Sequence, residues 1–237
     1  LELLDFSLGV TGPIFALLML GIGFVALNEF LTLGREFTFP GARVSLSAAL
    51  VLAAGGALLA RPVLLLLALL LGGFVPLVMA LRLTSTPGTA ETWAWGVAGV
   101  CYIGVPVFAA IALRQAAGGE VGSAWQAITE RMALGWTPAP RGLAWVLAVV
   151  LSTWAGDSAA YLAGRALGRR KLAPVVSPGK TLEGALGGLL AAMIVSAAVF
   201  TMSGVFPAWT GAIVGAVIGV SGQLGDLSES FLKRQSG

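Results

Sequence analysis

Three acidic side chains lie where the surrounding sequence is strongly apolar. Asp157 falls inside the apolar segment 143–167, and Asp226 and Glu229 fall near the end of the last apolar segment. An ionisable group at membrane depth is costly, so it marks a functional site by default. For Asp157 the alternative is a buried helix–helix hydrogen bond or an ion pair with Arg165.

The last apolar segment combines a polar patch with a row of glycines. Successive residues of a helix are rotated by about 100°, so eight residues of this segment share one face, an arc of roughly 100°. They are Gly211, Gly215, Gly219, Gly222, Asp226, Glu229, Ser230 and Lys233. Carboxylates at the membrane edge, with Lys233 and Arg234 just beyond, predict a site for a metal-bound phosphate. The alternative is an ordinary helix end with basic side chains reaching to the interface, which explains the cations but explains Asp226 poorly.

A polar run lies between these two acidic segments. Ser177 and Pro178 break the chain, and Thr181 to Gly184 open a helix whose free backbone N–H groups can bind an anion, with Lys180 beside them. The run thus predicts a phosphate-binding loop. The alternative is a cytoplasmic loop of ordinary basic composition with a Ser or Thr helix cap.

Composition limits the class of protein and the kind of site. The 237 residues are 57% hydrophobic and only 11% charged, against about a quarter charged in soluble domains, so we predict a membrane protein. A single cysteine, Cys101, and no histidine exclude an intrachain disulfide, a thiolate metal site and histidine acid–base chemistry. Any metal must then have oxygen ligands, which favours Mg²⁺. The net charge of +3 favours anionic headgroups or phosphates as partners and not nucleic acid.

The hydropathy pattern predicts an all-α, polytopic membrane protein with about seven transmembrane helices. The apolar segments are 13–33, 44–60, 62–83, 93–113, 143–167, 185–204 and 208–232. The second and third could instead form a re-entrant hairpin. We divide the chain into N-terminal helices with an extracytoplasmic loop, residues 1–141, and a catalytic region, residues 142–237, with a cytoplasmic loop at 168–184. The stretch 115–141, with Trp125 and Trp136, predicts an interfacial helix in that extracytoplasmic loop.

Basic residues predict the orientation, because Lys and Arg are retained on the cytoplasmic side. One side collects Arg35, Arg43, Arg82, Arg165, Arg169, Arg170, Lys171, Lys180, Lys233 and Arg234, and the other has Arg61, Arg114, Arg131 and Arg141. We expect an inner-membrane protein whose active site faces the cytoplasm. The glycine-rich helix faces also make a homodimer plausible.

Three motifs in this order resemble the phosphatidate cytidylyltransferase (CDP-diacylglycerol synthase) family. They are Trp154-Ala-Gly-Asp-Ser-Ala-Ala-Tyr-Leu-Ala-Gly-Arg165, then Lys171-Leu-Ala-Pro leading to Ser177-Pro-Gly-Lys-Thr-Leu-Glu-Gly184, then Gly225-Asp-Leu-Ser-Glu-Ser-Phe-Leu-Lys-Arg234. The detailed similarity covers residues 142–237. The family signature continues beyond Arg234 with further acidic residues that are not in this chain, so we expect the metal site to need ligands from such a segment.

The resemblance implies transfer of a cytidylyl group from CTP to phosphatidic acid, giving CDP-diacylglycerol and pyrophosphate, with Mg²⁺ required. On this hypothesis Asp226, helped by Asp157 or Glu229, holds the metal ion, and Lys180 is catalytic. The predicted substrate-binding residues are Ser177, Lys180 and Thr181 for the CTP phosphates, Lys233 and Arg234 for CTP or the lipid phosphate, and Arg165, Glu229 and Ser230 beside them.

Two other functions remain open at this point. A CTP-dependent kinase of polyprenols or phytol would share several spans and a basic cytoplasmic site. A secondary transporter would use Asp157 for a coupling ion and glycines to break helices. Only the CTP-using enzymes should bind CTP with Mg²⁺.

Overall fold

The computed structural model describes residues 12–34, 41–82, 89–116, 140–204 and 206–235. The helices are α1 (Pro13–Leu33), α2 (Ala42–Leu58), α3 (Val63–Arg82), α4 (Thr89–Gly99), α5 (Val105–Arg114), α6 (Pro140–Leu167), α7 (Leu182–Ser203) and α8 (Ala208–Gln235). A π-helical turn, Val100–Gly104, joins α4 to α5, and two short strands, β1 (Lys171–Ala173) and β2 (Ser177–Thr181), lie between α6 and α7. The all-α, polytopic fold class is confirmed.

Each of the seven predicted segments coincides with helical structure, and the fourth is the continuous run of α4, the π-helical turn and α5. Within the described residues, five helical stretches are long and apolar enough to cross a membrane: α1, Trp93–Arg114, α6, α7 and α8. The second and third predicted segments supply shorter apolar helices. The seven-span count and the re-entrant hairpin therefore stay predictions. The predicted interfacial helix with Trp125 and Trp136 lies outside the described residues, as do Arg35 and Arg131.

The chain forms two compact units, Leu1–Gln115 and Ala116–Gly237. The first unit packs α1 to α5 around a core that includes Phe30, Leu46 and Ile111, each at most 5% exposed. Phe30 stacks on Trp95 with ring centroids 4.4 Å apart. The predicted division at residue 141 stays a prediction.

The second unit packs α7 against both α6 and α8, and glycines allow the close approach. A Cβ added at Gly184 would lie 2.7 Å from the Ala160 carbonyl oxygen, and one at Gly188 would lie 2.7 Å from the Gly156 carbonyl oxygen. Gly211, Gly215 and Gly219 of α8 pack in the same way against α7. These small residues therefore serve the packing of the unit itself. The homodimer stays a prediction.

The segment predicted as an irregular loop contains a small antiparallel hairpin. β1 pairs with β2, with Lys171 opposite Thr181 and Ala173 opposite Ser177. The hairpin leads directly into α7, whose N-cap is Thr181. The hairpin therefore determines the positions of Lys180 and Thr181 at the start of α7.

Candidate active site

The start of α7 is held by side chains and by the hairpin. The Thr181 hydroxyl accepts a hydrogen bond from the Gly184 N–H at 3.1 Å, and the Leu182 N–H donates to the Arg170 carbonyl at 2.9 Å. Two of the N–H groups predicted to bind an anion thus have partners in the chain. The anion site at this helix start stays a prediction.

Glu183 ties the segment after α6 to the start of α7. Its carboxylate accepts hydrogen bonds from the backbone N–H groups of Arg169, at 3.0 Å, and Arg170, at 3.2 Å. These bonds to a carboxylate are stronger than bonds between neutral groups. Sequence reasoning saw Glu183 only as the end of a motif, whereas the structure makes it the residue that positions the hairpin.

The hairpin brings Lys180 to Asp226. The Lys180 ammonium donates a hydrogen bond to Asp226 Oδ2 at 3.0 Å, across 46 residues of sequence. The two side chains are 28% and 55% exposed, so the pair lies at the surface of the helix packing and not in its core. The predicted phosphate-binding loop therefore meets α8, the helix whose carboxylates were predicted to bind a metal ion.

Asp157 joins this group from α6. It interacts electrostatically with both Asp226 and Lys180, and all three line one cavity of about 600 Å³. Within the described residues Asp157 makes no ion pair with Arg165, whose guanidinium instead donates to the Tyr161 hydroxyl at 3.1 Å. Of the two alternatives given for Asp157, the ion pair with Arg165 is not what the structure shows.

Each helix and strand that the structure describes in the second unit contributes to this cavity. From α6 come Ser152, Thr153, Gly156, Asp157, Ala160, Tyr161, Gly164 and Arg165, which recur at the spacing of one helix face. From the hairpin and α7 come Leu172, Gly179, Lys180, Thr181, Gly184, Ala185 and Gly188, and from α8 come Ile218, Gly219, Gly222, Gln223 and Asp226. Charged groups gather at the end near the hairpin, and small or neutral side chains line the rest.

The donor set around the cavity fits a hard divalent ion. Mg²⁺ in phosphate-handling sites is held by one or two carboxylates together with substrate phosphates and water, and Asp157 and Asp226 are two such carboxylates. Among the residues that the structure describes, no group of three or more Asp, Glu, His or Cys side chains forms a metal cluster. Among these described residues, Asp157 and Asp226 are the two carboxylates that line the cavity.

The remaining predicted residues lie outside the cavity. Glu229 pairs with Lys233 one turn along α8, and Ser177 lies at the start of β2. Among the described residues the cavity-lining set does not include Ser177, Glu229, Ser230, Lys233 or Arg234. Their proposed roles stay predictions, whereas Asp157, Arg165, Lys180, Thr181 and Asp226 are placed together.

The cavity residues that sequence reasoning did not single out include Gln223, Tyr161 and Ser152. Gln223 donates from its side-chain amide to the Ala185 carbonyl at 2.8 Å and joins α8 to α7. Its place one turn before Asp226, at the border of the predicted face, was a usable signal. Tyr161 also had a signal, because it lies one turn after Asp157 on the same helix. Ser152 had none, because serine is ordinary in membrane helices.

Comparison with known proteins identifies the family of the chain. The family model described as the Cytidylyltransferase family matches residues 3–237. Curated relatives named phosphatidate cytidylyltransferase include that of Haemophilus influenzae, 46% identical over 101 residues (40% of this chain, 35% of the relative). Those of Staphylococcus haemolyticus (41% over 97 residues) and Staphylococcus aureus strain COL (42% over 101 residues) each align with 40% of this chain and 37% of the relative.

These alignments span 35% to 37% of the length of the relatives. No solved structure matches the chain significantly. The family model, in contrast, covers nearly all of its residues, including all three motifs and every side chain that lines the cavity. The chain therefore belongs to the cytidylyltransferase family.

Proposed function

We propose that this chain carries the site that transfers a cytidylyl group from CTP to phosphatidic acid, giving CDP-diacylglycerol and pyrophosphate. The observation that supports this most directly is the meeting of Lys180, Asp226 and Asp157 in one cavity between membrane helices. The relatives named phosphatidate cytidylyltransferase carry the name of the same reaction.

The reaction joins two anions, and this sets what the site must do. An oxygen of the lipid phosphate attacks the α-phosphorus of CTP, and the bond from that phosphorus to the oxygen bridging to the β-phosphorus breaks. The electron pair of the broken bond leaves with pyrophosphate. No covalent intermediate with the protein is needed, so the protein must mainly position the phosphates and neutralise their charge.

Lys180 and Arg165 are the cations that line the cavity, and they can bind phosphate oxygens there. Lys180 is paired with Asp226 at 3.0 Å, which favours one position of its ammonium before substrate arrives. Preorganised charge of this kind stabilises a developing negative charge without reorganisation during the reaction. Arg165 is oriented by its bond to Tyr161.

Asp157 and Asp226 are the residues that would hold Mg²⁺. A bound divalent ion would supply Lewis-acid polarisation of a phosphoryl oxygen and charge neutralisation. Until a cation binds, the two carboxylates repel each other, and Lys180 offsets part of that repulsion.

The substrate explains why such a site lies at the end of membrane helices. The acyl chains of phosphatidic acid stay in lipid, whereas CTP arrives from water. A cavity that runs between helices and ends beside a polar hairpin is reachable from both. We place the hairpin on the cytoplasmic side of the inner membrane, because the cations of residues 165–180 cluster there.

The test uses the full-length protein in detergent with α-labelled CTP, phosphatidic acid and Mg²⁺. Label should enter lipid as CDP-diacylglycerol, and Asp226→Asn should abolish this because a metal-binding carboxylate is lost. Ser228→Ala, on the same helix but outside the cavity, is the matched control and should keep normal turnover.

Other outcomes would count against the proposal. Near-normal turnover by Asp226→Asn would remove that residue from the metal site. A folded wild-type protein that labels no lipid would reject the cytidylyl transfer itself. Transfer of label from γ-labelled CTP to a polyprenol would then favour the lipid kinase.

A further inference from the structure

The cavity is longer than a phosphate site requires. Along α6 it extends from Arg165 to Ser152, a separation of 13 residues or about 20 Å at the usual rise per residue. The end near the hairpin holds the charged groups. The deep end is lined by Ser152, Thr153, Gly156, Gly188, Ile218 and Gly219, none of which carries a charge.

Ser152 differs from several other hydroxyl side chains of these helices. Thr153, Thr201 and Ser228 each donate to the carbonyl four residues earlier, at 2.7 to 2.8 Å. Ser152 is 0% exposed, yet within the described residues its hydroxyl has no hydrogen-bond partner. Leaving a buried polar group unsatisfied costs about 1–3 kcal/mol, so a partner that comes with a ligand would be stabilising.

We propose that the Ser152 hydroxyl binds an acyl-ester carbonyl of the lipid substrate and makes the deep end a subsite for the glycerol diester. This proposal rests on the proposed function. It goes further by assigning Ser152 as a specificity-determining residue that distinguishes ester-linked phosphatidic acid from lipid phosphates without an ester.

The spacing fits this assignment. Ser152 lies five residues from Asp157 on α6, about 7.5 Å along the helix axis. In phosphatidic acid six bonds separate the phosphorus from the carbonyl oxygen of the nearer ester, about 7 Å when extended. A phosphate bound near Asp157, Lys180 and Asp226 would thus place that ester at the level of Ser152, with the acyl chains continuing into lipid.

The chemistry of the deep end favours the ester over the cytosine base. A cytosine ring presents one amino donor and two acceptors, and its recognition needs several polar partners. Of the two hydroxyl-bearing residues at the deep end, Thr153 already donates to Val149. One remaining hydroxyl suits a single carbonyl acceptor.

The experiment compares two synthetic lipids, diacyl-glycerol-3-phosphate and its di-O-alkyl analogue, which lacks both carbonyls. The measured quantity is the ratio of kcat/KM for the two lipids, with α-labelled CTP in saturating amount. A hydrogen bond of the usual net strength corresponds to a ratio of about 5 to 10 in the wild-type protein. Ser152→Ala should lower the ratio to near one and leave the KM for CTP unchanged.

The matched control is Ser196→Ala. Ser196 is equally buried and its hydroxyl is also without a partner among the described residues, but it does not line the cavity. This variant should keep the wild-type ratio. Because both lipids are measured on one preparation, the active fraction cancels. If the alanine protein does not fold, Ser152→Cys provides a second variant, because cysteine is close to serine in size and its thiol is only a weak donor.

Each other outcome has a defined meaning. A wild-type ratio near one, or a Ser152→Ala protein that keeps the wild-type ratio, would overturn the ester subsite while leaving cytidylyl transfer intact. A change in the selectivity for CTP over dCTP, with an unchanged lipid ratio, would place the nucleoside at the deep end instead. Failure of the wild-type protein to label either lipid would overturn both proposals.

Discussion

Replacing Lys180 with methionine removes the ammonium group that the hairpin holds against Asp226, while keeping an apolar side chain of similar length. We expect kcat/KM for CTP to fall by at least about 100-fold, because removal of one preorganised donor from a charge-stabilising site typically costs a factor of 10² to 10³. The CTP concentration that gives half-maximal rate should also rise.

The structure sets an upper limit on the free energy that the ion pair between Lys180 and Asp226 can contribute by itself. At the 3.0 Å separation of Lys180 Nζ and Asp226 Oδ2, the Coulomb energy is about 1.4 kcal/mol in water and about 5.5 kcal/mol at an effective dielectric constant near 20. The side chains are 28% and 55% exposed, so water screens the pair and the lower figure applies. If Lys180 only held Asp226 in place, its loss would change activity about tenfold at most.

The assay combines initial rates of label incorporation into lipid with the midpoint of heat inactivation in detergent. A loss of about 100-fold or more with little change in the midpoint supports a direct role of Lys180 at the phosphates. A loss below tenfold, or one that follows the loss of stability, would refute this reasoning. Arg169→Gln is the control, because Arg169 is an exposed cation beside the hairpin that does not line the cavity, and it should stay within about twofold of wild type.

Two further predictions concern packing and orientation. Gly188→Ala should lower the midpoint of heat inactivation, because the new Cβ would lie 2.7 Å from a backbone carbonyl of α6 and overpacking costs about 1–3 kcal/mol. The control Gly225→Ala, whose new Cβ would have no heavy atom within 4 Å, should leave the midpoint unchanged or raise it. Equal midpoints for the two variants would contradict the packing argument. The orientation can be tested with single cysteines that replace Arg170 or Pro207, near the two ends of α7, in a Cys101→Ser background. The two cysteines should react with an impermeant maleimide from opposite sides of the membrane, so in intact cells only the cysteine at position 207 should be labelled. Labelling at position 170 in intact cells would reverse the predicted orientation.

The sequence predicted the helices well because each one carries its own signal. Length and hydropathy identify a membrane segment without reference to its neighbours, and the predicted segment 13–33 coincides with α1. The hairpin between α6 and α7 was not predicted. Its residues include Pro174, Pro178 and Gly179, which are poor strand formers. Pairing there depends on the hydrogen bonds that Glu183 accepts from Arg169 and Arg170 and on the helices at either end.

The sequence by itself also determined which residue types were available for chemistry. A chain without histidine and with one cysteine leaves only carboxylates, hydroxyls and cations, and the cost of charge in lipid singles out Asp157 and Asp226. Helical periodicity then placed Asp226 on a glycine face. All of these signals are local, so they can be obtained from spacing alone.

Only the tertiary structure decided which of these residues act together. Lys180 and Asp226 are 46 residues apart. Helical periodicity shows on which face of its helix a residue lies, but it does not show which other element packs against that face. Glu229, one turn beyond Asp226, instead pairs with Lys233 on its own helix. The difference arises because α7 packs closely on α6 and α8 through glycines, which brings the hairpin, Asp157 and Asp226 to one cavity.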